Sequence, residues 1–244
     1  MSINLFIKKF NVLVAAKELN SFFLAALLLA LISGFDDGTK TFQFSHWVLN
    51  FITMFLISVL VLVVAEFSRK IYAHKQGYSV QFKLLPIALL IGLVFSIVSK
   101  GKIWYVLIPG TITITHITGM RIGKFRYGLN YFDMGKIAFS GTIAVLGLAI
   151  ILKFLSYLAP NNLYLTKAMI FCISYAICNS LPIPYVNGHQ MFFASRTAYF
   201  FILFFVIGLS FFLFITNPVL SVILALIFSA VFGTIYFMFF ELKK

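Results

Sequence analysis

Charged and amide side chains are scarce in this chain, so those that interrupt its apolar runs mark where chemistry could be done. Burying such groups costs free energy unless a partner or a role compensates. Three segments qualify: Val64-Ala65-Glu66-Phe67-Ser68-Arg69-Lys70, the stretch from Gly135-Lys136 through Ser140-Gly141-Thr142 to Val145, and Asn179-Ser180-Leu181-Pro182-Ile183-Pro184-Tyr185-Val186-Asn187-Gly188-His189. A carboxylate such as Glu66 can serve as a general base or a metal ligand, whereas the guanidinium of Arg69 is a fixed cation. The two stand three positions apart, close enough to pair on a helix. In the third segment Pro182 and Pro184 stop a helix, and Asn187-Gly188 supports a tight turn. His74, His116, His189 and Asp133 could in principle build a displaced metal site, but their spacing predicts none; single histidines read first as interfacial or hydrogen-bonded residues. Gly128, Asn130 and Asp133 form a polar loop that the same spacing test leaves uninformative. No serine sits in a recognisable nucleophile elbow, so serine-hydrolase chemistry has no support.

These residues are carried by elements that composition places in a bilayer. Of 244 residues, 62% are hydrophobic, 18% aromatic and 10% charged, with a mean hydropathy of +1.05. A soluble domain has about 45–50% apolar and about 25% charged residues, so this chain cannot cover its apolar surface with polar groups of its own. Apolar runs long enough to cross a hydrocarbon core of about 30 Å predict an all-α polytopic membrane protein. The whole chain, 1–244, reads as a single membrane domain, without internal repeat or low-complexity linker. Its first part, 1–46, holds one span and a loop, and 198–244 holds a hairpin of spans. Met1 to Leu19 carries Lys8, Lys9 and Lys17 but no small-residue cleavage site, so no removable signal peptide is expected. Cys172 and Cys178 lie in one apolar run, six positions apart, and read as packing residues.

Six spans are expected, at Val12–Ser33, Trp47–Ala65, Ile137–Leu158, Leu163–Cys178, Ala198–Thr216 and Val219–Phe240. The formal charge of +13 comes from 19 Lys and Arg against 6 Asp and Glu. Those cations sit mainly in the short connections, where they set topology and meet anionic headgroups rather than nucleic acid. A cytoplasmic N-terminus places Lys8, Lys9, Arg69, Lys70, Lys75, Lys83, Lys100, Lys102, Arg121, Lys124, Arg126, Lys136, Arg196, Lys243 and Lys244 inside. Outside there is little beyond Lys40, beside Asp36 and Asp37. Both termini are then cytoplasmic.

This orientation requires Leu84–Ser99 not to cross. With Pro86 near its start and fewer than the about 20 residues a crossing needs, it reads as a re-entrant or interfacial helix. The following stretch, Ile103 to Thr118, alternates in Thr111-Ile112-Thr113-Ile114-Thr115 and predicts a small β insertion broken at Pro109-Gly110. Backbone of this kind at membrane depth must be buried in protein or line a wet cavity.

Asn179-x-x-Pro182-x-Pro184-x-x-Asn187-Gly188 resembles the Asn-x-x-Pro-x-Pro-x-x-Asp-Gly motif of the site-2 protease family of intramembrane zinc metalloproteases, with Asn187 where that family carries a zinc-ligating Asp. Ala65-Glu66-Phe67-Ser68-Arg69 stands where the family has His-Glu-x-x-His, and Lys70-x-x-Ala73-x-x-x-Gly77-Tyr78 is similar to its continuation. Pro109-Gly110 and Gly135-Lys136-Ile137-Ala138-x-x-Gly141 also look like that family. The resemblance covers about residues 50–200 and implies a site-2 protease-like core.

In the family, two His and an Asp hold zinc while the Glu acts as general base. At the corresponding positions Ala65 has no donor atom, Arg69 repels a cation, and Asn187 is a weak neutral ligand. Of the four, Glu66 alone remains. Thr142 and Val145 replace a family Pro and Asn, which removes a donor near the scissile carbonyl. The resemblance therefore implies a degenerate member: no catalytic residues at Ala65, Glu66, Arg69 and Asn187, no cofactor, and a binding site drawn from Glu66, Arg69, Asn179, Pro182, Pro184, Asn187 and Gly188. A Glu66–Arg69 pair with Asn187 or Asn179 nearby would keep the old metal site near charge balance. The alternative is that Arg69 snorkels to the headgroups and Glu66 is partly solvated. The expected function is binding of a membrane-embedded peptide or partner helix, by a protein whose other partner is the bilayer. An active metalloprotease using displaced ligands such as His74 and His189, and a small transporter or channel, are the competing readings.

Overall fold

The computed structural model describes residues 16–36, 43–117, 129–159 and 162–241. The start of the first expected span at Val12, the end of the expected strand at Thr118, and Lys8, Lys9, Asp37, Lys40, Arg121, Lys124, Arg126, Gly128, Lys243 and Lys244 lie outside the described residues. Among those described, eight α-helices and one two-stranded sheet follow in the order α1 (Ala16–Ser33), α2 (Phe44–Lys75), β1 (Tyr78–Leu84), α3 (Pro86–Val98), β2 (Gly110–His116), α4 (Tyr131–Leu158), α5 (Leu163–Ser180), α6 (Asn187–Ala194), α7 (Arg196–Ile215) and α8 (Pro218–Tyr236), the last continuing into a π-helical turn, Phe237–Glu241.

Five of these, α2, α4, α5, α7 and α8 with its π turn, are long and apolar enough to cross a membrane. The apolar part of α1, Glu18–Ser33, is shorter. Starts are set by chemistry visible in the sequence. Asn130, Asn162 and Ser195 accept from the amides of Phe132, Tyr164 and Ala198 at 3.1, 3.0 and 3.3 Å, and Pro86 and Pro218 occupy the first turns of α3 and α8, where a missing N–H costs nothing.

The helix α2 is longer than the span expected at Trp47–Ala65. Its 32 residues reach about 48 Å, well beyond the hydrocarbon thickness, because the polar stretch after Ala65 continues the helix instead of ending it. The charges there are matched internally: Glu66 pairs with Arg69, and Lys70 Nζ lies 2.7 Å from Glu18 Oε1. The helix stops at Gly77, which takes a φ of +81° that favours glycine.

The segment after Gly77 pairs as a hairpin partner of the Thr-Ile strand. β1 and β2 are antiparallel in a register running from Tyr78↔His116 to Leu84↔Gly110. Tyr78, Val80, Phe82, Ile112 and Ile114 turn inward, while Gln81, Lys83 and Thr113 are exposed. β2 is shorter than the stretch expected from Ile103. Pro109 O still accepts from the Leu85 amide at 3.1 Å, but residues 103–108 leave the ladder and pack against helices: Trp104 stacks on Phe171 of α5, Cys178 Sγ donates to Tyr105 O at 3.3 Å, and the backbone at Val106 lies against Gly92 of α3.

With 13 residues, α3 extends about 20 Å and does not cross a core of about 30 Å. It buries Ala88, Leu89, Gly92 and Ser96, presents Ile87, Leu90, Ile91, Val94 and Val98 outward, and is tied to the end of α1 by the Ser96 hydroxyl donating to Ile32 O at 2.8 Å.

One side chain ties the sheet to two helices at once. Besides meeting Lys70, the Glu18 carboxylate accepts from the Phe82 amide at 3.0 Å, joining α1, α2 and the outer edge of β1. Glu18→Ala removes the acceptor of both and should lower stability by about 1–3 kcal/mol, read from unfolding of the purified protein in detergent micelles; unchanged stability would show that the sheet is held without it.

Candidate functional site

Helices α2 and α4 cross antiparallel at Arg69 and Gly141. Ala73 clusters with Ile137 and Ala138 to one side of the crossing, and Ala65 with Val145 and Leu146 to the other. The Ser68 hydroxyl donates to Ser140 O at 3.1 Å beside it. A Cβ at position 141 would collide with Nε and Cζ of Arg69, so the guanidinium lies directly on the α4 backbone. Arg69 Nη1 donates to Glu66 Oε1. Arg69 is 1% exposed and Glu66 4%; the arginine does not reach the bundle end.

The third contributor is α5. The Tyr175 hydroxyl lies within electrostatic reach of both charges. One turn further on, Asn179 Nδ2 donates to Tyr175 O at 3.0 Å, and Asn187 Nδ2 donates to Asn179 Oδ1, also at 3.0 Å. Asn179 and Asn187 are fully buried. A hydrogen-bonded path thus runs from the residue beside the ion pair to the start of α6. Gly188 packs against the carbonyls of Ser180 and Leu181, and Tyr199 of α7 donates to the same Ser180 carbonyl at 2.8 Å, which locks the turn carrying Pro182 and Pro184. Both prolines are exposed on the turn surface. Tyr185 adopts a φ of +66° and is 75% exposed.

Glu66 Oε2, Arg69 Nε and Nη2, Thr142 Oγ1, the Tyr175 hydroxyl and Asn187 Oδ1 are buried without a hydrogen bond of standard geometry. This concentration of polar atoms at one depth sets the site apart from the apolar packing around it. It does not suit zinc. Ala65 offers no donor, the single carboxylate is engaged by a cation that cannot be deprotonated, and Asn187 supplies a neutral amide oxygen. Among the described residues no group of three His, Cys, Asp or Glu side chains is placed to hold a metal. His74 lies in the last turn of α2, His116 stacks against Tyr78 with ring centroids 5.1 Å apart, and His189 on α6 packs against Phe193 at 4.6 Å. Asp133 accepts from Tyr78 and Asn130, both at 3.2 Å.

A second feature adjoins the Pro-rich turn. A cleft of about 450 Å³ separates β2 from the segment 184–190, lined by Lys83, Ile112, Thr113, Tyr185, His189 and Gln190 among others. Gln190 Nε2 reaches across it to Ile112 O at 3.2 Å. Comparison of the chain with family models, with characterised proteins and with solved structures found no match.

Sequence reasoning placed Glu66, Arg69, Asn179 and Asn187 in the region but missed Tyr175, Glu18 and Gln190. Tyr175 had a signal: it stands four positions before Asn179, on the same helix face. Glu18 and Gln190 act through contacts across 64 and 78 positions, which no local pattern records.

The two glycines of the site predict different losses. Gly141→Ala meets a side chain that can shift, costing about 1–3 kcal/mol as Arg69 is pushed off α4. Gly188→Ala meets backbone carbonyls that cannot, so it should destabilise more. Thermal unfolding of the two variants in the same detergent checks the order; equal or reversed losses would contradict this packing.

Proposed function

We propose that this chain is a catalytically inert, site-2 protease-like membrane protein that binds an extended segment of a membrane-embedded peptide or partner helix along the outer edge of β2. The observation that carries the reading is the buried Glu66–Arg69 pair, standing where the resemblance puts the metal and already neutralised by its own residues. In this reading the expected segment Val12–Ser33 is a sixth span, and both termini face the cytoplasm with most of the basic residues.

The sheet supports a binding role. At the outer edge of β1, the Phe82 amide is taken by Glu18. The outer edge of β2 borders the cleft, where the Ile112 carbonyl faces a side-chain amide rather than a third strand. Strand addition holds an extended peptide through its main chain, largely independent of sequence, and suits a client whose helix has unwound. Gln190 stands where such a strand would bond, and its flexible side chain can give way.

The test uses the reconstituted protein, a fluorescent extended peptide and anisotropy. His189→Trp, which fills the cleft, should abolish binding. N-methylation of alternate peptide amides should weaken binding by about fivefold or more per lost bond, and incubation with zinc should yield no cleavage. Equal binding by the methylated peptide would refute strand addition. Zinc-dependent cleavage lost in Glu66→Gln would refute the inert site.

A further inference from the structure

A groove of about 370 Å³ runs along the outside of the α2–α4 crossing, lined by Val64, Phe67, Ser68, Ile71, Tyr72 and Lys75 of α2 and by Ala144 of α4. The α2 residues recur at steps of three and four, which puts them on one helix face. On α4, Ala144, Ser140 and Lys136 share a face at steps of four. The antiparallel crossing brings Ala73 beside Ile137, so Lys136 of α4 lies at the level of Lys75, which lines the end of the groove. Both lysines are exposed, and neither forms an ion pair among the described residues. The nearest carboxylate on α4, Asp133, already accepts from Tyr78 and Asn130.

We propose that this groove is a binding site for one anionic phospholipid, with an acyl chain against Val64, Phe67, Ile71 and Ala144 and the phosphate between Lys75 and Lys136. Three features point to this occupant. Between Val64 and Ile71 the walls are apolar apart from Ser68, on a helix long and apolar enough to cross a membrane, where acyl chains are the solvent that meets such a surface. Small Ala144 opens the gap into which the chain fits. Lys75 and Tyr72 line one end of the groove and Lys136 stands at the same level on α4, so the site pairs a hydrocarbon slot with cations able to receive a phosphate. The proposal does not depend on the peptide-binding reading above.

The site is tested by native mass spectrometry of the protein released from micelles containing equal amounts of phosphatidylglycerol and phosphatidylcholine. Wild type should retain one phosphatidylglycerol in preference to phosphatidylcholine. The double substitution Lys75→Gln with Lys136→Gln should lower that preference by about fivefold to thirtyfold. Ala144→Phe, which fills the slot while leaving both cations, should lower retention of the bound lipid. Lys102→Gln, an exposed lysine outside both the groove and the cleft, should leave the lipid preference unchanged. An unaltered preference in the double variant, unaltered retention in Ala144→Phe, or an equal loss in Lys102→Gln would overturn the proposal. So would efficient cross-linking of two copies through Ala144→Cys in the bilayer, which would assign the groove to a second copy of the chain.

Discussion

A guanidinium buried against a helix backbone must find a carboxylate, and in this protein that requirement organises the centre of the molecule. Arg69 and Glu66 satisfy one another within a single helix, which lets α2 continue through a polar stretch that would otherwise end it. Gly141 allows α4 to close over the pair, and α5 contributes Tyr175 beside it. Three helices therefore meet at a site that is electrically balanced yet rich in buried polar atoms. An isolated ion there would cost several kcal/mol or more, so neither charge can be changed alone without consequence.

From that centre the structure divides into a sealed part and an open part. On the sealed side, Asn179 and Asn187 tie the end of α5 to the start of α6, and Tyr199 fixes the turn between them. On the open side lies the small sheet. Glu18 occupies one edge and leaves the other beside a cleft. These two features, a charge-balanced centre and an open sheet edge, are the ones on which the proposed binding role rests.

Much of this was legible in the sequence because the bilayer allows few solutions. Apolar run length and the proline near the start of Leu84–Ser99 separated spanning helices from the short α3, and the Thr-Ile alternation marked β2. Less legible was β1: Tyr-Ser-Val-Gln-Phe-Lys-Leu alternates just as well, but it follows directly on the long α2 and leads into another apolar helix. The extent of α2 was also hidden, because charges in a sequence look like an end until their partners are known. In the candidate site, the i, i+3 spacing of Glu66 and Arg69 pointed to pairing but left snorkelling open. Burial by α4, at a position where a glycine lets the guanidinium lie on the backbone, decided it. That contact joins residues 69 and 141 and belongs to tertiary packing.

The most direct measurement is a double-mutant cycle on the pair, using Glu66→Leu, Arg69→Met and both together, with unfolding free energies from denaturant titration in mixed micelles. A mutually compensating buried pair predicts a loss of about 3–5 kcal/mol for each single substitution and a much smaller loss for the double, hence a coupling of about 3 kcal/mol or more. Additive losses, or single substitutions without effect, would contradict the view that these two charges hold the centre of the protein together.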